Sequence, residues 1–568
     1  MDKTSVTSSS PCGQAGARLA PGLATLLATR LATRLSTLLS TLMLLLPLQA
    51  PAQQPPTASL RIASAFDPQT LDPHAIALLY HSRVTYQVYE SLVGRDADFR
   101  LEPALALSWQ MSAPTRWRFQ LRPGVRFHDG STLSADDVVF SIERAFAPPS
   151  QRAFQLKGMK AVRKLDPLAV EIEMEAPDAV LPEKLQFIAI MSKAWAEQHG
   201  VQRAQDFNAK QETYAIRHAN GTGPMKLQRY EPDVRTVLEA HTGWWGRADR
   251  RTGNLREVSF VTIKSDATRL AALASGEVDL VLDPPYQDIA RLKADPRITL
   301  AQVADIGQQY LAFDQSRDEL EGSDLKGRNP FKDLRVRQAV YHALNVPLII
   351  DKVLRGQAVP TGGFLSTRID GSPPELDRRL PYDPARARAL LAEAGLAQGF
   401  SVTLDCVNIA WRENVCQAVS AMLTQVGIRT TLRSSPTNQF FPKLSQGTAS
   451  FIEYGWTPAP DAWATLNAMF RSFDKGGLGT FNAGRYRNPR LDTMIDDIRT
   501  EPDMTRRRAM VSTVLRLVAE ELPYVPLYRR TLTWAMARKV SLVQWPNDTI
   551  ELRWVRVQQP GGTLPQRP

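Results

Sequence analysis

The stretch FQLRPGVRFHDGSTLSADDVVFSIERA, residues 119–145, joins a strand, two turns and a helix in one run. Apolar residues alternate with polar ones over residues 117–121, which is the period of a strand with one face in water. Pro123-Gly124 and Asp129-Gly130 are turn dipeptides. The stretch therefore predicts a hairpin that leads directly into a helix.

The helix has a defined start. Ser134 precedes Asp137 by three residues, which is the spacing of a capping box. In this motif the side chain of each residue accepts a hydrogen bond from the backbone N–H of the other. We expect the helix to run through Ile142, and we expect a first strand at Leu60–Ala65. Apolar residues at helical spacing mark two further helices, namely Val336, Ala339, Val340, Ala343 and Leu344, and Val415, Ala418, Val419, Met422, Leu423 and Val426. Short strands alternating with helices over several hundred residues predict an α/β or α+β fold rather than a sandwich or a bundle.

Length and charge narrow the class of protein. The chain has 568 residues, of which 43% are hydrophobic. A chain of this length is too long for a single compact core, so we expect two or three lobes. The formal net charge is +11. Its arginines are scattered among acidic residues and form no basic tract, which argues against a nucleic-acid partner.

The first 52 residues differ from the rest. No acidic residue occurs from Lys3 to Phe66, and Arg30 and Arg34 precede an uncharged run, residues 35–48, followed by Ala50-Pro51-Ala52. This order predicts a secretory signal peptide over residues 1–52, cleaved after Ala52 and followed by a linker, residues 53–58. A transit peptide or a membrane anchor is the alternative, although the apolar run is short for a span. No cysteine adjoins the cleavage site, so we expect no lipid anchor.

Two cysteines remain outside this leader, which holds Cys12. Cys406 and Cys416 lie ten residues apart, and an even pair in an exported chain predicts a disulfide. Two free buried thiols or a pair of metal ligands are the alternatives. No histidine stands near enough in sequence to complete a metal set, so we expect no metal.

Catalytic motifs are absent from the sequence. It has no Gly-x-Ser-x-Gly elbow, no His-Glu-x-x-His, no Walker A loop and no complete dinucleotide fingerprint. The seven histidines are spread singly, and His128, beside Asp129, stands in a predicted turn. We therefore expect a protein that binds rather than reacts, with no cofactor.

Several stretches together resemble the extracytoplasmic solute-binding proteins of family 5, which serve ABC importers. They occur in the family's order, cover residues 59–545, and include the specific stretch 119–145. The stretches are LDPH (from Leu71), VYESLVGRD (Val88), PALALSW (Pro103), GTGPMKL (Gly221), TRLAALASGEVDLV (Thr268), PFKDLRVRQAVYHALN (Pro330), YDPARARALLAEAGL (Tyr382), YRNPRLDTMI (Tyr486) and LPYVPLY (Leu522).

The resemblance implies an α/β fold of the two-lobed periplasmic-binding-protein type (type II, with an extra subdomain), its lobes hinged around a ligand cleft. Transposed to this chain, the first lobe takes residues 57–93, 219–314 and 533–558, the extra subdomain 94–218 and the second lobe 315–532. Residues 559–568 form a C-terminal tail.

The resemblance places the ligand beside GWTPAPDAW, Gly455 to Trp463. Peptide-binding relatives carry an Asp three residues after the first Trp to hold a peptide's ammonium, and here that position is Ala459. Either Asp461 or Glu453 replaces the missing acid, or the ligand has no free amino terminus there, since a buried ammonium without a counter-charge is costly.

Across the cleft, the loop around Trp411 and Arg412 is a candidate to grip a ligand carboxylate; the alternative for Arg412 is a solvated arginine at a helix start. The predicted ligand-binding set is Tyr80, His81, Trp411, Arg412, Tyr454, Gly455, Trp456, Thr457 and Asp461.

The function implied is the periplasmic substrate-binding component of an ABC importer, a monomer that captures a peptide or peptide-like molecule and delivers it to a membrane permease with its ATPase. A sensing receptor for a non-peptide solute, such as an opine, a glutathione-like molecule, a metal chelate or haem, is the alternative. A secreted hydrolase is a third hypothesis, and it would need a nucleophile and base, or a metal set, that the sequence does not display.

Overall fold

The computed structural model describes residues 57–249, 251–459, 461–474 and 478–559. The predicted signal peptide with Cys12, nearly all of the linker, and residues 560–568 of the predicted tail lie outside these described residues. Within them, no helix is both long enough and apolar enough to cross a membrane.

The strands and helices alternate along the chain as the sequence predicts. The strands are β1 (Ala58–Ser64), β2 (Val93–Arg95), β3 (Leu101–Pro103), β4 (Ala106–Ala113), β5 (Arg116–Leu121), β6 (Met159–Asp166), β7 (Ala169–Met174), β8 (Met225–Glu231), β9 (Arg235–Ala240), β10 (Leu255–Thr262), β11 (Leu280–Val281), β12 (Ile298–Ala304), β13 (Gln308–Phe313), β14 (Ala358–Pro360), β15 (Phe400–Val407), β16 (Ile428–Ser435), β17 (Phe451–Trp456), β18 (Tyr524–Ala537), β19 (Val540–Ser541) and β20 (Arg556–Val557). The helices are α1 (Leu79–Val88), α2 (Ala135–Phe146), α3 (Leu181–Leu185), α4 (Lys193–Gln198), α5 (Asp266–Ser275), α6 (Ile289–Ala294), α7 (Leu334–His342), α8 (Val346–Lys352), α9 (Pro384–Glu393), α10 (Ala410–Thr424), α11 (Thr437–Gln446), α12 (Ala462–Met469), α13 (Pro489–Thr500) and α14 (Met504–Glu521).

One strand, β18, belongs to two parts of the largest sheet. Its first half pairs with β13, with Tyr524 opposite Ala312, and its second half pairs with β12, with Thr531 opposite Ala304. On one side lie β16, β15, β17 and β13, which we call the second-lobe sheet; on the other lie β12, β11, β1, β10, β9 and β8, which we call the first-lobe sheet. The fold is therefore two-lobed, with a continuous strand through both lobes.

Each sheet carries its own apolar core. In the first-lobe sheet, Ile62 and Leu238 pack with the fully buried Trp534 of β18. In the second-lobe sheet, alternate residues of β13 enter two cores on opposite faces, as with Phe313 on one face and Tyr310 on the other. This is the pattern of a sheet covered by helices on both faces.

A separate four-stranded antiparallel sheet, in the order β4-β5-β7-β6, holds the stretch from which the sequence analysis started. The side chains of β5 alternate between exposed and buried, as predicted. The Ser134 backbone N donates to Asp137 Oδ2 at 2.9 Å, which confirms the reciprocal half of the capping box. The helix α2 continues to Phe146, past the predicted end at Ile142, because Ala145 is still buried; Pro148 then stops it.

This small sheet has a core of its own, formed among others by Phe119 and Ile142, and it also contacts the second lobe. The Ala179 N donates to the Arg499 carbonyl oxygen of α13 at 3.3 Å.

Candidate functional site

The topology places two sheet edges on either side of one crevice. In the second-lobe sheet β15, β16 and β17 run parallel, and in the first-lobe sheet β1, β10 and β11 run parallel. The first half of β18 is parallel to β17, and its second half is antiparallel to β11, so β18 crosses from one carboxyl edge to the other. Ligands of open α/β sheets bind outside the carboxyl ends of the strands.

Two short connections cross the crevice, residues 305–307 between β12 and β13, and residues 529–530 within β18. They are bonded to each other: the Asp305 N donates to the Arg530 carbonyl oxygen at 2.8 Å, and Arg530 Nη2 donates to Asp305 Oδ2 at 3.0 Å. Burial lowers the pKa of Arg530, but the neighbouring Asp305 and other nearby acidic groups together raise it more, so the net shift of this pKa is upward and the guanidinium stays charged. The lobes are therefore joined at a two-stranded hinge.

Arg412 lies at the second-lobe edge and is already paired. Its Nη1 donates to both carboxylate oxygens of Glu453 at 3.0 Å, and its Nη2 donates to Gln309 Oε1 at 2.8 Å. Glu453 has no exposed surface, and this burial raises its pKa, while the Arg412 charge acts in the opposite direction. The sequence suggested Arg412 as a carboxylate grip and Glu453 as an ammonium anchor, and the structure places the two side chains in one ion pair.

Trp411 and Arg412 lie in the first turn of α10, not in a loop as the sequence analysis expected. The reason is that Val415 and Cys416 already face the core there, so the amphipathic pattern begins one turn earlier. The predicted disulfide joins Cys406 of β15 to Cys416 of α10, with sulfurs 2.08 Å apart, which rules out free thiols and a metal pair. The bridge holds the first turns of α10 against the strand that ends at the crevice.

The GWTPAPDAW segment leaves β17 at the crevice. Trp456 Nε1 donates to Thr465 Oγ1 at 3.1 Å. The amide of Gln309 fills the space beside Gly455, so any side chain at position 455 would collide with it. Thr457 and Ala459 are exposed. Thr457 and Ala459, rather than the buried Asp461, are thus the solvent-exposed residues of this segment.

Both carboxylate oxygens of Asp461 accept hydrogen bonds from other residues of the protein. One oxygen accepts from the Ala464 N at 3.2 Å as the N-cap of α12, and the other accepts from Arg507 Nη2 of α14 at 2.7 Å. The side chain is buried. The structure thus gives the Asp461 carboxylate two contacts within the protein, one to each oxygen.

The two first-lobe candidates, Tyr80 and His81, lie in different environments. Tyr80 stacks on Phe66 with ring centroids 5.3 Å apart, beside the carboxyl end of β1. His81 points inward, is fully buried, and lies with its Nε2 3.0 Å from the Asp72 carbonyl oxygen. Burial lowers the pKa of His81 to about 3, with the nearby Arg152 adding to the effect, so the ring is neutral.

The LDPH motif that precedes them is structural. The Asp72 carboxylate accepts two bonds from Arg144 of α2, at 2.9 and 2.6 Å, and it also accepts from the Gln205 N at 2.9 Å. His74 Nε2 lies 3.0 Å from the Ala189 carbonyl oxygen. The motif therefore ties the first lobe to the small sheet, which explains why His81 is not at the surface.

The sequence analysis missed the aromatic residues of the crevice that stand outside any motif. Phe66 follows β1, Phe441 lies in α11 just after β16, and Phe481 lies beyond α12. A large apolar residue just after a predicted parallel strand was the signal that could have identified Phe66, which stands two residues beyond β1. Over the residues that the structure describes, no group of three or more His, Cys, Asp or Glu side chains is placed to hold a metal ion.

Comparisons with known proteins agree with this architecture. A family model described as "Bacterial extracellular solute-binding proteins, family 5 Middle" matches residues 100–477. Heme-binding protein A of Haemophilus influenzae is 27% identical over 470 residues, which cover 78% of this chain and 81% of that protein. Di/tripeptide-binding protein 1 of Pseudomonas aeruginosa is 27% identical over 476 residues, covering 77% and 82%. The solved structure of HbpA2 from Haemophilus parasuis superimposes with a TM-score of 0.77 at 23% identity, covering 88% of this chain and all of that one.

Proposed function

This chain belongs to the bacterial extracellular solute-binding proteins of family 5, and from that membership we propose that it is the substrate-binding component of an ABC importer. It acts in the periplasm as a monomer, exported by the leader 1–52, and it delivers its ligand to a membrane permease with an ATPase. The protein binds without chemical conversion.

The observation that carries this proposal is the meeting of two carboxyl edges across a two-stranded hinge. A ligand that contacts both edges favours the closed arrangement by the difference between its affinities for the closed and open forms. The hinge connections lie at residues 305–307 and 529–530, and β13 pairs with β17. We therefore propose lobe boundaries there, rather than at residues 314/315 and 532/533.

The proposed ligand is a peptide-like small molecule without a free ammonium beside Ala459. The two relatives described above are named for haem and for di- and tripeptides. In this chain Glu453 and Asp461, the acids nearest to that position in sequence, are paired with Arg412 and Arg507. The ligand contacts are Tyr80, Trp411, Tyr454, Gly455, Trp456 and Thr457, while His81, Arg412 and Asp461 hold these residues in place.

Native mass spectrometry of the protein purified from the periplasm of its host tests the proposal. We expect one retained small molecule, and we expect small-angle scattering to show a more compact protein when that molecule is added back to the stripped protein. Deletion of the gene should abolish uptake of the same molecule. Turnover of the molecule would favour the hydrolase, and normal uptake in the deletion strain would favour a sensing receptor. Recovery of free dipeptides with unblocked amino termini would contradict the inference from Ala459.

A further inference from the structure

Aromatic side chains form two contacting pairs at the second-lobe edge of the crevice. The ring of Tyr454 lies 5.4 Å from that of Phe441, and the ring of Trp456 lies 4.9 Å from that of Phe481. Tyr454 and Trp456 are two residues apart on β17 and so share one side of the strand. We call these four residues, together with Trp411, the aromatic wall.

The side chains of the aromatic wall are more exposed to solvent than those of a hydrophobic core. Phe481 is 55% exposed and Phe441 is 42% exposed, while Tyr454 and Trp456 are half-buried. Single exposed apolar residues are common on protein surfaces, but a contiguous apolar patch at a crevice marks a binding surface. The wall therefore presents ring faces and edges to whatever enters the crevice.

The opposite edge carries a matching pair. Phe66, 56% exposed, follows the carboxyl end of β1 and stacks on Tyr80. Both edges of the crevice thus offer aromatic rings, one pair from the first lobe and the wall from the second.

The charges beside the wall are mutually compensated. The Arg412 guanidinium lies over the rings of Trp411 and Tyr454, at 4.5 and 4.9 Å from their centroids, and its hydrogen bonds go to Glu453 and Gln309. Asp461 is paired with Arg507. A charged ligand group pressed against this wall would lose hydration without gaining a counter-charge, whereas an uncharged ring would lose little.

We propose that the ligand carries a planar conjugated ring system, which lobe closure places between Phe66 with Tyr80 on one side and the aromatic wall on the other. This inference rests on the proposed receptor function and names its ligand class. Stacking between aromatic rings adds to the free energy gained from burying apolar area, so removing one exposed ring should weaken binding by about tenfold.

Two matched probe pairs test the ligand class. The first pair is N-acetyl-Gly-Trp-Gly-amide and N-acetyl-Gly-Leu-Gly-amide, which differ in the central side chain, a planar indole against an aliphatic isobutyl group. The second is metal-free protoporphyrin IX and the aliphatic sterol acid cholate. Isothermal titration should show tighter binding of the planar member in at least one pair. Equal affinities within both pairs, or no binding of either planar probe, would overturn the proposal.

Single substitutions test whether the ligand contacts both edges of the crevice. Phe66→Ala and Phe481→Ala should each weaken binding of the preferred planar probe about tenfold, and Phe66→Leu and Phe481→Leu should recover only part of it, because the apolar area returns without the ring. Phe154→Ala is the matched control, since Phe154 is 63% exposed but lies at Ala153–Leu156, beside the small sheet. Affinity within twofold of the wild type in both alanine variants would overturn the proposal.

These experiments distinguish failure of the proposed ligand class from failure of the receptor function. If the aliphatic member of each pair binds as tightly as its planar partner and also compacts the protein, the ring system is refuted while the receptor function stands. If no retained molecule, and no probe, compacts the protein, both conclusions fail.

Discussion

At the scale of single residues, the buried pairing of Arg412 with Glu453 makes a prediction about stability. Removing one member of a buried pair leaves the other charge without compensation, which costs about 3–5 kcal/mol. We expect Arg412→Leu to lower the free energy of unfolding by about that amount, and we expect the double variant Arg412→Leu/Glu453→Leu to recover most of the loss. Urea unfolding followed by tryptophan fluorescence measures both.

The control for this experiment is an exposed ion pair. Arg386 and Glu393 are 2.8 Å apart with half-exposed side chains, and such pairs contribute about 0–1 kcal/mol. Arg386→Leu should therefore change the free energy of unfolding little. A loss in Arg412→Leu no larger than in Arg386→Leu would contradict the buried pairing.

Asp461 can be tested for its two competing roles. Because it caps α12 and pairs with Arg507, we expect Asp461→Ala to destabilise the protein by about 2–4 kcal/mol, combining the loss of a cap with an uncompensated Arg507. Asp461→Asn keeps an acceptor for the cap and should lose less. Ligand affinity, measured by titration well below the unfolding midpoint, should change less than threefold in Asp461→Asn. A selective loss of ligands with free amino termini, at unchanged stability, would instead restore the ammonium anchor.

At the scale of elements, the joint around LDPH gives the protein a pH dependence. The folded pKa of His81 is about 3, below its ordinary value, so between about pH 6.5 and pH 3 the unfolded chain binds a proton that the folded chain does not. The stability that comes from the neutral ring is therefore complete above pH 6.5 and is lost as the pH falls toward 3. We expect about 2 kcal/mol to be lost between pH 6.5 and pH 5 from this residue alone.

His81→Gln, which keeps a donor for the Asp72 carbonyl, should flatten this part of the stability profile when urea midpoints are measured from pH 5 to pH 8. The exposed His218→Gln is the surface control. If the urea midpoint of His81→Gln falls as steeply toward pH 5 as that of the wild type, another group controls the loss of stability.

The start of α2 illustrates how far sequence reasoning reaches. Asp137 accepts from the Ser134 N and, through its other oxygen, from the Lys193 N at 2.9 Å, so Asp137→Ala should cost about 1–3 kcal/mol. Asp136→Ala, at an exposed pair with Lys164, should cost less than 1 kcal/mol. Thermal unfolding monitored by circular dichroism distinguishes them, and equal losses would contradict the capping contact.

Local patterns predicted the local structure. The alternation of β5, the capping box of α2 and the Cys406–Cys416 bridge depend on residues close in sequence, and all three are confirmed. The role of Arg412 was not predictable in this way, because its partners Glu453 and Gln309 lie 41 and 103 residues away and are brought together only by sheet pairing. The contact between Asp461 and Arg507 was not predictable for the same reason, since Arg507 reaches it from another helix.

At the scale of the whole molecule, the family resemblance predicted the two-lobed α/β fold, which the sheets and the comparisons confirm. It placed the crossings at residues 314/315 and 532/533 from the resemblance alone, because β18 is one uninterrupted strand and carries no break in its sequence pattern. The crossing becomes visible only when the partners of β18 change from β13 to β12. The aromatic wall was invisible for a similar reason, since its rings come from four separate segments.

The hinge also has a consequence for protein engineering. The second-lobe sheet and its helices are contained between two crossings, residues 305–307 and 529–530, whose backbones are hydrogen-bonded to each other. The intervening segment is thus an insertion with adjoining ends, and we expect it to tolerate exchange for the same segment of a relative. A chimaera joined at these two points would keep one protein's first-lobe edge of the crevice and take the second-lobe edge from another.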